Sequence, residues 1–177
     1  MTAAAAAALL LTLAACSSPA SSPRAEPSTS ASASASAGAA DGECDGVNVV
    51  VDATAFADED ETSLSECIQT DEPIAAADAF AQVNVTTEGT VEYGDQVVCR
   101  VNGVPAEDQA LAAEDGSEYF ETCEAMPAAF AYWSMWVKPE AGAWGYAQEG
   151  LSTLELQPGE SVALLFTLNG EPAAPTS

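Results

Sequence analysis

Histidine is absent from the 177 residues, and only three residues, Arg24, Arg100 and Lys138, are basic. Without an imidazole the chain cannot assemble a Ser-His-Asp or Cys-His catalytic centre, and it offers no histidine ligand to zinc or copper. The 28 acidic residues give a formal net charge of −25. Such a surface repels nucleic-acid phosphates, so we expect no nucleic-acid partner and interpret the acidity as a solubilising exterior.

The apolar run at residues 3–15, AAAAAALLLTLAA, is shorter than the roughly 20 residues that a transmembrane helix needs. It ends in LAAC at Leu13–Cys16, and small residues before a cysteine are typical of a lipobox. We therefore predict a lipoprotein signal peptide at 1–15 and a lipid anchor on Cys16. An ordinary signal peptide with a chance cysteine is the alternative. The lipoprotein interpretation places the protein on the outer face of the cytoplasmic membrane.

The segment after the anchor contains mostly Ser, Ala and Pro and no large apolar side chain. Such a composition cannot bury enough surface to fold. We therefore predict a lipidated cysteine and disordered tether over 16–43, a folded domain over 44–170 and a disordered tail over 171–177. A tether of this length holds the domain about 30 Å from the membrane.

No CxxC pair occurs among the remaining cysteines, which disfavours a redox or zinc-ribbon function. An even number of cysteines in an exported domain predicts two disulfides, and three pairings are possible. We favour Cys44–Cys67, which ties the start of the domain to its second strand, and Cys99–Cys123, which closes the acidic loop between them. Each would contribute on the order of 2–4 kcal/mol.

The first part of the domain is predicted to be strand, strand, helix. Residues 47–56 and 63–69 have strand patterns, and 70–82 has a Thr or Asp cap and a proline in its first turn. We interpret the acidic segment 57–62 as a solvated turn, because it lacks the glycine and closing glutamate of a calcium loop. The apolar face of the helix comprises Ile74, Ala77, Phe80 and Ala81.

Four or five strands are predicted after the helix, with an acidic surface loop at 105–124 and a Pro-Gly turn inside the last segment. This order predicts an α+β fold, namely a β-grasp-like mixed sheet with one short helix packed across it. A small β-sandwich is the alternative if the helix forms only in part. The later strands are expected within 83–89, 95–103, 130–138, 143–148 and 152–168.

All three tryptophans lie in AYWSMWVKPEAGAWGYAQEG at 131–150. Alternation along a strand puts Trp133 with Met135 and Val137 on one side, over the helix. The opposite side would expose an aromatic ladder, and a contiguous exposed aromatic patch normally marks a binding site. We expect Arg100 to pair with nearby carboxylates rather than with a ligand anion. The predicted ligand-binding residues are Tyr132, Ser134, Trp136, Trp144 and Tyr146.

Three blocks, VVCRVNGVPA (97–106), ETCEAMPAAFAYWSMW (121–136) and GAWGYAQEGLSTLELQPGESVALLF (142–166), resemble a group of actinobacterial secreted proteins. Those proteins are similar to the C-terminal β-grasp domain of transcobalamin and intrinsic factor and are often encoded beside vitamin or cobalt uptake transporters. The resemblance implies an outer-surface protein that captures a ligand such as a corrinoid. The matching positions are Cys99, Arg100, Gly103, Pro105, Cys123, Pro127, Tyr132, Trp133, Ser134, Trp136, Trp144, Tyr146, Gly150, Pro158 and Gly159.

Two functions remain open at this point, together with a disfavoured third. The first is a non-catalytic, monomeric ligand-binding lipoprotein, without metal or cofactor, that presents a corrinoid-like small molecule to an uptake system. The second is a protein-interaction module that docks a transporter or cell-wall partner through the same face. An enzyme would have to rely on paired carboxylates such as Asp52, Glu121 or Glu124, which have no distinguishing sequence context.

Overall fold

The computed structural model describes residues 44–56, 62–170 and 174–175. The predicted signal peptide, Cys16 and the tether lie outside these residues, as do most of the acidic turn and most of the C-terminal tail. Among the described residues, no helix is both long and apolar enough to cross a membrane.

The described chain forms one helix and a series of strands, most of them short. Five strands build the main sheet and the others form two-stranded ribbons around it. The elements are β1 Val47–Asp52, β2 Leu64–Ile68, β3 Ile74–Ala75, α1 Ala76–Gln82, β4 Thr87–Thr90, β5 Gly94–Val101, β6 Leu111–Ala112, β7 Glu118–Tyr119, β8 Ala131–Lys138, β9 Gly145–Tyr146, β10 Glu155–Leu156 and β11 Ser161–Leu168.

The main sheet has the strand order β2-β1-β11-β8-β9. β1 and β11, which come first and last along the chain, are neighbours in the middle of this sheet and pair in parallel. Every other neighbouring pair is antiparallel. A parallel pair needs a long crossover connection, and here the connection contains α1 and the remaining strands. The predicted α+β, β-grasp-like mixed sheet is therefore confirmed.

Alternation along the strands separates two faces of the sheet. On one face Val49, Trp133 and Leu164 join a core that also takes in Phe80 of α1. The other face holds a smaller cluster of Val50, Trp136 and Ala163, against which Trp144 and Leu165 pack. The helix thus covers only one face, as predicted.

The helix is shorter than predicted, because it starts at Ala76 rather than near Thr70. Ile74 and Ala75 pair with β10 and are extended, so the chain is already committed to a ribbon before the helix begins. The predicted Thr or Asp cap is wrong: the N-cap position is Ala75, and no side chain caps it. Phe80 is buried as expected, whereas Ala81 is exposed.

Both favoured disulfides are present, with Cα–Cα distances of 5.8 Å for Cys44–Cys67 and 5.6 Å for Cys99–Cys123. The Cys99–Cys123 bond closes the acidic region 105–124 onto β5. That region, predicted as a loop, also contains a small ribbon in which β6 pairs with β7. The Pro-Gly turn lies between β10 and β11 as predicted, and Gly159 adopts a φ of 88°, which favours glycine.

Candidate functional site

Trp133 lies on the core face of β8, as its position in the alternation predicts. Its ring meets that of Phe166 edge to face, with centroids 5.2 Å apart, and its indole N–H donates to the carbonyl oxygen of Val104 at 3.0 Å. Only 6% of Trp133 is exposed. Packing and a hydrogen bond therefore fix the position of the ring on this strand.

Ser134 and Trp136 lie on the opposite face, as predicted, but the expectation that they are exposed is wrong: each is only 6% exposed. The indole N–H of Trp136 donates to Ser134 Oγ at 3.0 Å, and the Ser134 hydroxyl donates to the carbonyl oxygen of Leu165 at 3.1 Å. Tyr146, from the neighbouring strand, stacks on Trp136 with ring centroids 4.1 Å apart. These neighbours turn the predicted ladder into a second small core.

Trp144 and Tyr146 form the outer layer of this second face. Tyr146 is 46% exposed, while Trp144 is half-buried against the Trp136 cluster. The Lys138 ammonium lies 5.8 Å from the centre of the Trp144 ring, a cation–π arrangement. The predicted residues Ser134, Trp136, Trp144 and Tyr146 are thus brought together on one face.

Tyr132 occupies a different environment from the other predicted ligand residues. Together with Val97 of β5, residues 126–129 and Trp133, it lines an open cleft of about 330 Å³. Apart from the Tyr132 hydroxyl and the Trp133 indole N–H, which is already engaged, the lining side chains are apolar. Met126, at the rim, is 60% exposed. An apolar concavity with few polar groups is the usual form of a small-ligand site.

Of the residues that line the cleft, the sequence predicts only Tyr132 as a ligand-binding residue. In the sequence, Val97 is indistinguishable from any other strand residue, because its proximity to β8 arises only from tertiary packing. A usable signal existed in AMPAAF at 125–130, which lacks any charged residue although the preceding loop is strongly acidic. An apolar segment of that kind on the surface of an acidic domain indicates either a packing partner or a binding wall.

Arg100 is fully engaged beneath the acidic region. Its Nη1 lies 3.0 Å from a carboxylate oxygen of Glu88, its Nε donates to the carbonyl oxygen of Pro105 at 2.8 Å, and its Nη2 donates to that of Glu121 at 2.6 Å. The carboxylate pairing expected for this residue is confirmed. Each of its three guanidinium nitrogens is hydrogen-bonded within the protein, so Arg100 ties β4 and β5 to the segment that precedes Cys123.

Glu121 is a buried carboxylate, only 4% exposed. It accepts hydrogen bonds from the backbone N–H of Cys123 and from the hydroxyl of Tyr119, each at 2.7 Å. Three effects raise the pKa of Tyr119 to about 12: its burial, which is the largest, its hydrogen bond to Glu121, and the negative charge of Glu121. Glu121 also lies beside the sulfurs of Cys99 and Cys123, but these are joined in a disulfide and supply no thiolate to a metal.

Comparisons of the chain with protein-family models, with curated proteins and with solved structures give no match.

Proposed function

We propose that this protein is a membrane-anchored, extracytoplasmic binding module without a catalytic role. It captures a small molecule with an apolar face, in the class of corrinoids and other vitamins, and presents it to an uptake system. The observation that carries the proposal is the cleft of about 330 Å³ beside Tyr132, which is lined almost entirely by apolar side chains on a strongly acidic protein. The ligand's apolar face would rest against Tyr132, Val97 and Pro127.

Two further features support this proposal. The disulfides Cys44–Cys67 and Cys99–Cys123 suit an exported protein, because such bonds persist in oxidising compartments. The sequence resemblance to secreted proteins similar to the transcobalamin β-grasp domain points to vitamin capture. The buried carboxylate of Glu121 is occupied by two internal hydrogen bonds and serves the fold rather than a reaction.

The second predicted surface has a supporting role in this proposal. Ser134 and Trp136 are covered by their neighbours, so they would hold the sheet in shape rather than touch a ligand directly. Trp144 and Tyr146 lie outside them and could extend a ligand contact beyond the cleft. Tyr132, which lines the cleft, is the predicted residue that would contact the ligand there.

Thermal melting of the full-length protein in mild detergent, against a vitamin panel that includes cobalamin and cobinamide, tests the proposal. A ligand at about one hundred times its Kd adds roughly 2.7 kcal/mol, which raises the Tm by several degrees. Tyr132→Ala should abolish the shift, whereas Phe120→Ala, which truncates a 45% exposed aromatic outside the cleft lining, should retain it. A panel without any shift at saturating concentration would contradict small-molecule capture.

A second candidate is a protein-interaction module that docks a transporter or a cell-wall partner. It is favoured by the exposure of large apolar side chains, including Val91 at 84% and Met126 at 60%. The Val91 N–H donates to the carbonyl oxygen of Cys123 at 2.7 Å, so the β4–β5 turn lies beside the segment that leads to Met126. An exposed apolar surface of this kind suits a protein partner.

A further inference from the structure

On the side of β8 that faces β9, strand pairing stops near Met135. The paired residues are Trp136 with Tyr146 and Val137 with Gly145, and the Ala147 N–H adds one more bond to the carbonyl oxygen of Met135 at 2.9 Å. Between Ala131 and Ser134, none of the described strands pairs with this side of β8. The sheet therefore has an open edge over half of its aromatic strand.

The edge is open because the chain turns away from β8 after Ala147. Gly150 approaches β5 so closely that a Cβ at this position would lie 2.7 Å from the Cα of Gln96. The next residue, Leu151, is buried in the core, and its N–H donates to the carbonyl oxygen of Asp95 at 3.2 Å. A glycine and a core leucine thus draw the chain across to β5 and leave the cleft beside β8.

Trp133 supplies the backbone groups of this open edge. Because Met135 directs its carbonyl toward β9, the two-residue period of a strand directs the N–H and C=O of Trp133 to the same side. The next residue of that parity, Ala131, already donates its N–H to the carbonyl oxygen of Ala128 at 3.0 Å. One donor and one acceptor from a single residue therefore border an apolar cleft, and their natural complement is one residue of an extended peptide.

We propose that an extended segment of a protein partner adds to β8 at Trp133 and places an apolar side chain in the cleft. This inference rests on the protein-docking candidate and names the form of its partner. The peptide residue opposite Trp133 would exchange two backbone hydrogen bonds with it, and the rigidity of the Trp133 ring fixes the edge in position. A small molecule and the peptide would compete for the same space.

The charge around the cleft indicates that the segment is basic. Glu92 and Glu124 are exposed and adjacent, since the N–H of Glu92 donates to the carbonyl oxygen of Glu124, and exposed Asp95 precedes Val97 by two residues. The two basic side chains of the described residues do not neutralise this charge, because Arg100 pairs with Glu88 and Lys138 lies over the Trp144 ring. Lysine or arginine on either side of the apolar residue would therefore complement the rim.

The test uses the full-length protein in mild detergent and the peptide acetyl-Lys-Val-Leu-Val-Lys-amide, with binding measured by calorimetry. Two analogues carry an N-methyl group on Leu or on the preceding Val, which removes one N–H without changing charge or side chain. In an extended strand these two N–H groups point to opposite sides. We expect one methylation to weaken binding by about tenfold and the other to have little effect.

Matched protein variants locate the site. Val97→Lys adds a charge to the cleft wall and should weaken peptide binding by about tenfold. Ala81→Lys adds the same charge at an exposed position of α1, outside the cleft lining, and should not. Equal affinities of both methylated peptides, equal effects of the two variants, or no binding at millimolar peptide would overturn the inference. If the peptide fails while a vitamin still raises the Tm, the inference falls and small-molecule capture stands; if both fail, both fall.

Discussion

Trp136 is the residue around which the second face of the sheet is built. Its ring stacks against that of Tyr146, its indole N–H donates a hydrogen bond to Ser134, and it packs on Val50 and Ala163. Alternation along β8 predicts the side on which it lies, but its burial depends on Tyr146, which reaches it through the pairing of two strands. The sequence predicts Trp136 to be a ligand contact, but in the folded chain its side chain is part of a small core.

Truncation of Trp136 should consequently destabilise the domain. Trp136→Ala removes a buried aromatic and leaves a cavity over Ala163, so we expect the free energy of unfolding to fall by about 3–5 kcal/mol in urea titrations. Tyr132→Ala, at a half-buried site on the cleft, is the matched control and should cost clearly less. Similar small losses for both variants would show that Trp136 is not the centre of a core.

Arg100 and Glu88 form a pair whose two members should differ sharply in importance. Arg100→Met leaves the buried carbonyl of Glu121 and the carbonyl of Pro105 without their donors, so the expected loss is about 2–4 kcal/mol. Glu88→Gln breaks only the ion pair, and its side chain is 55% exposed, so we expect at most about 1 kcal/mol. Chemical denaturation of both variants measures the two losses of unfolding free energy. Equal losses would contradict the structural importance that we assign to Arg100.

Tyr119 should make stability sensitive to alkaline pH. Burial, with the bond to Glu121 and its charge, raises its pKa to about 12, above the value near 10 of an unfolded tyrosine. The folded state therefore holds the proton more tightly, and this contribution is complete below about pH 10 and is lost as the pH rises through about 12. The free energy of unfolding should fall over this interval, and more steeply than in Tyr119→Phe; parallel curves would contradict the assignment.

At the scale of the elements, we expect the Cys99–Cys123 disulfide to hold one segment of the chain in place as well as to stabilise the whole fold. It fixes the segment that continues into the cleft wall at 126–129, whereas Cys44–Cys67 joins the residues before β1 to β2, at the opposite edge of the main sheet from β9. The two bonds enclose nearly equal lengths of chain, with sequence separations of 24 and 23, so their effects on the unfolded state should be alike.

Replacement of either disulfide by two alanines should lower the free energy of unfolding by about 2–4 kcal/mol. Only the variant that lacks Cys99–Cys123 should also show faster amide hydrogen exchange at 124–130 under native conditions. The other double variant is the control for a general loss of stability. Identical exchange in that segment for both variants would mean that the cleft wall is held by other contacts.

The elements also show what a single sequence can predict. Strands such as 47–52 and 131–138 follow from β-branched and aromatic runs. The favoured disulfide pairing, one of three possible, follows from tying the domain start to the second strand and from closing the acidic loop. The helix start does not, because Ile74 and Ala75 are drawn into a ribbon by residues 155–156, far along the chain. The cleft does not either, since it exists only where Gly150 diverts the chain toward β5.

At the scale of the whole molecule, the described residues combine a β-grasp-like sheet, many exposed acidic side chains and an apolar cleft beside an open strand edge. The acidic composition is the basis for expecting a solubilising exterior and no nucleic-acid partner, but it does not select a ligand. In our proposals, the cleft lining and the edge at Trp133 would provide that selectivity: they would favour an apolar face or side chain inside the cleft and hydrogen-bonding or cationic groups around it.

The most direct test of the cleft uses the methionine methyl groups. The chain has three methionines, of which Met126 lies at the cleft and Met135 packs against the core. In ¹³C-methyl-methionine spectra of the full-length protein, cobinamide, cobalamin or the basic peptide at saturation should shift the Met126 signal and leave Met135 in place. A ligand that raises the Tm without moving Met126 would show that binding occurs elsewhere and would contradict the account.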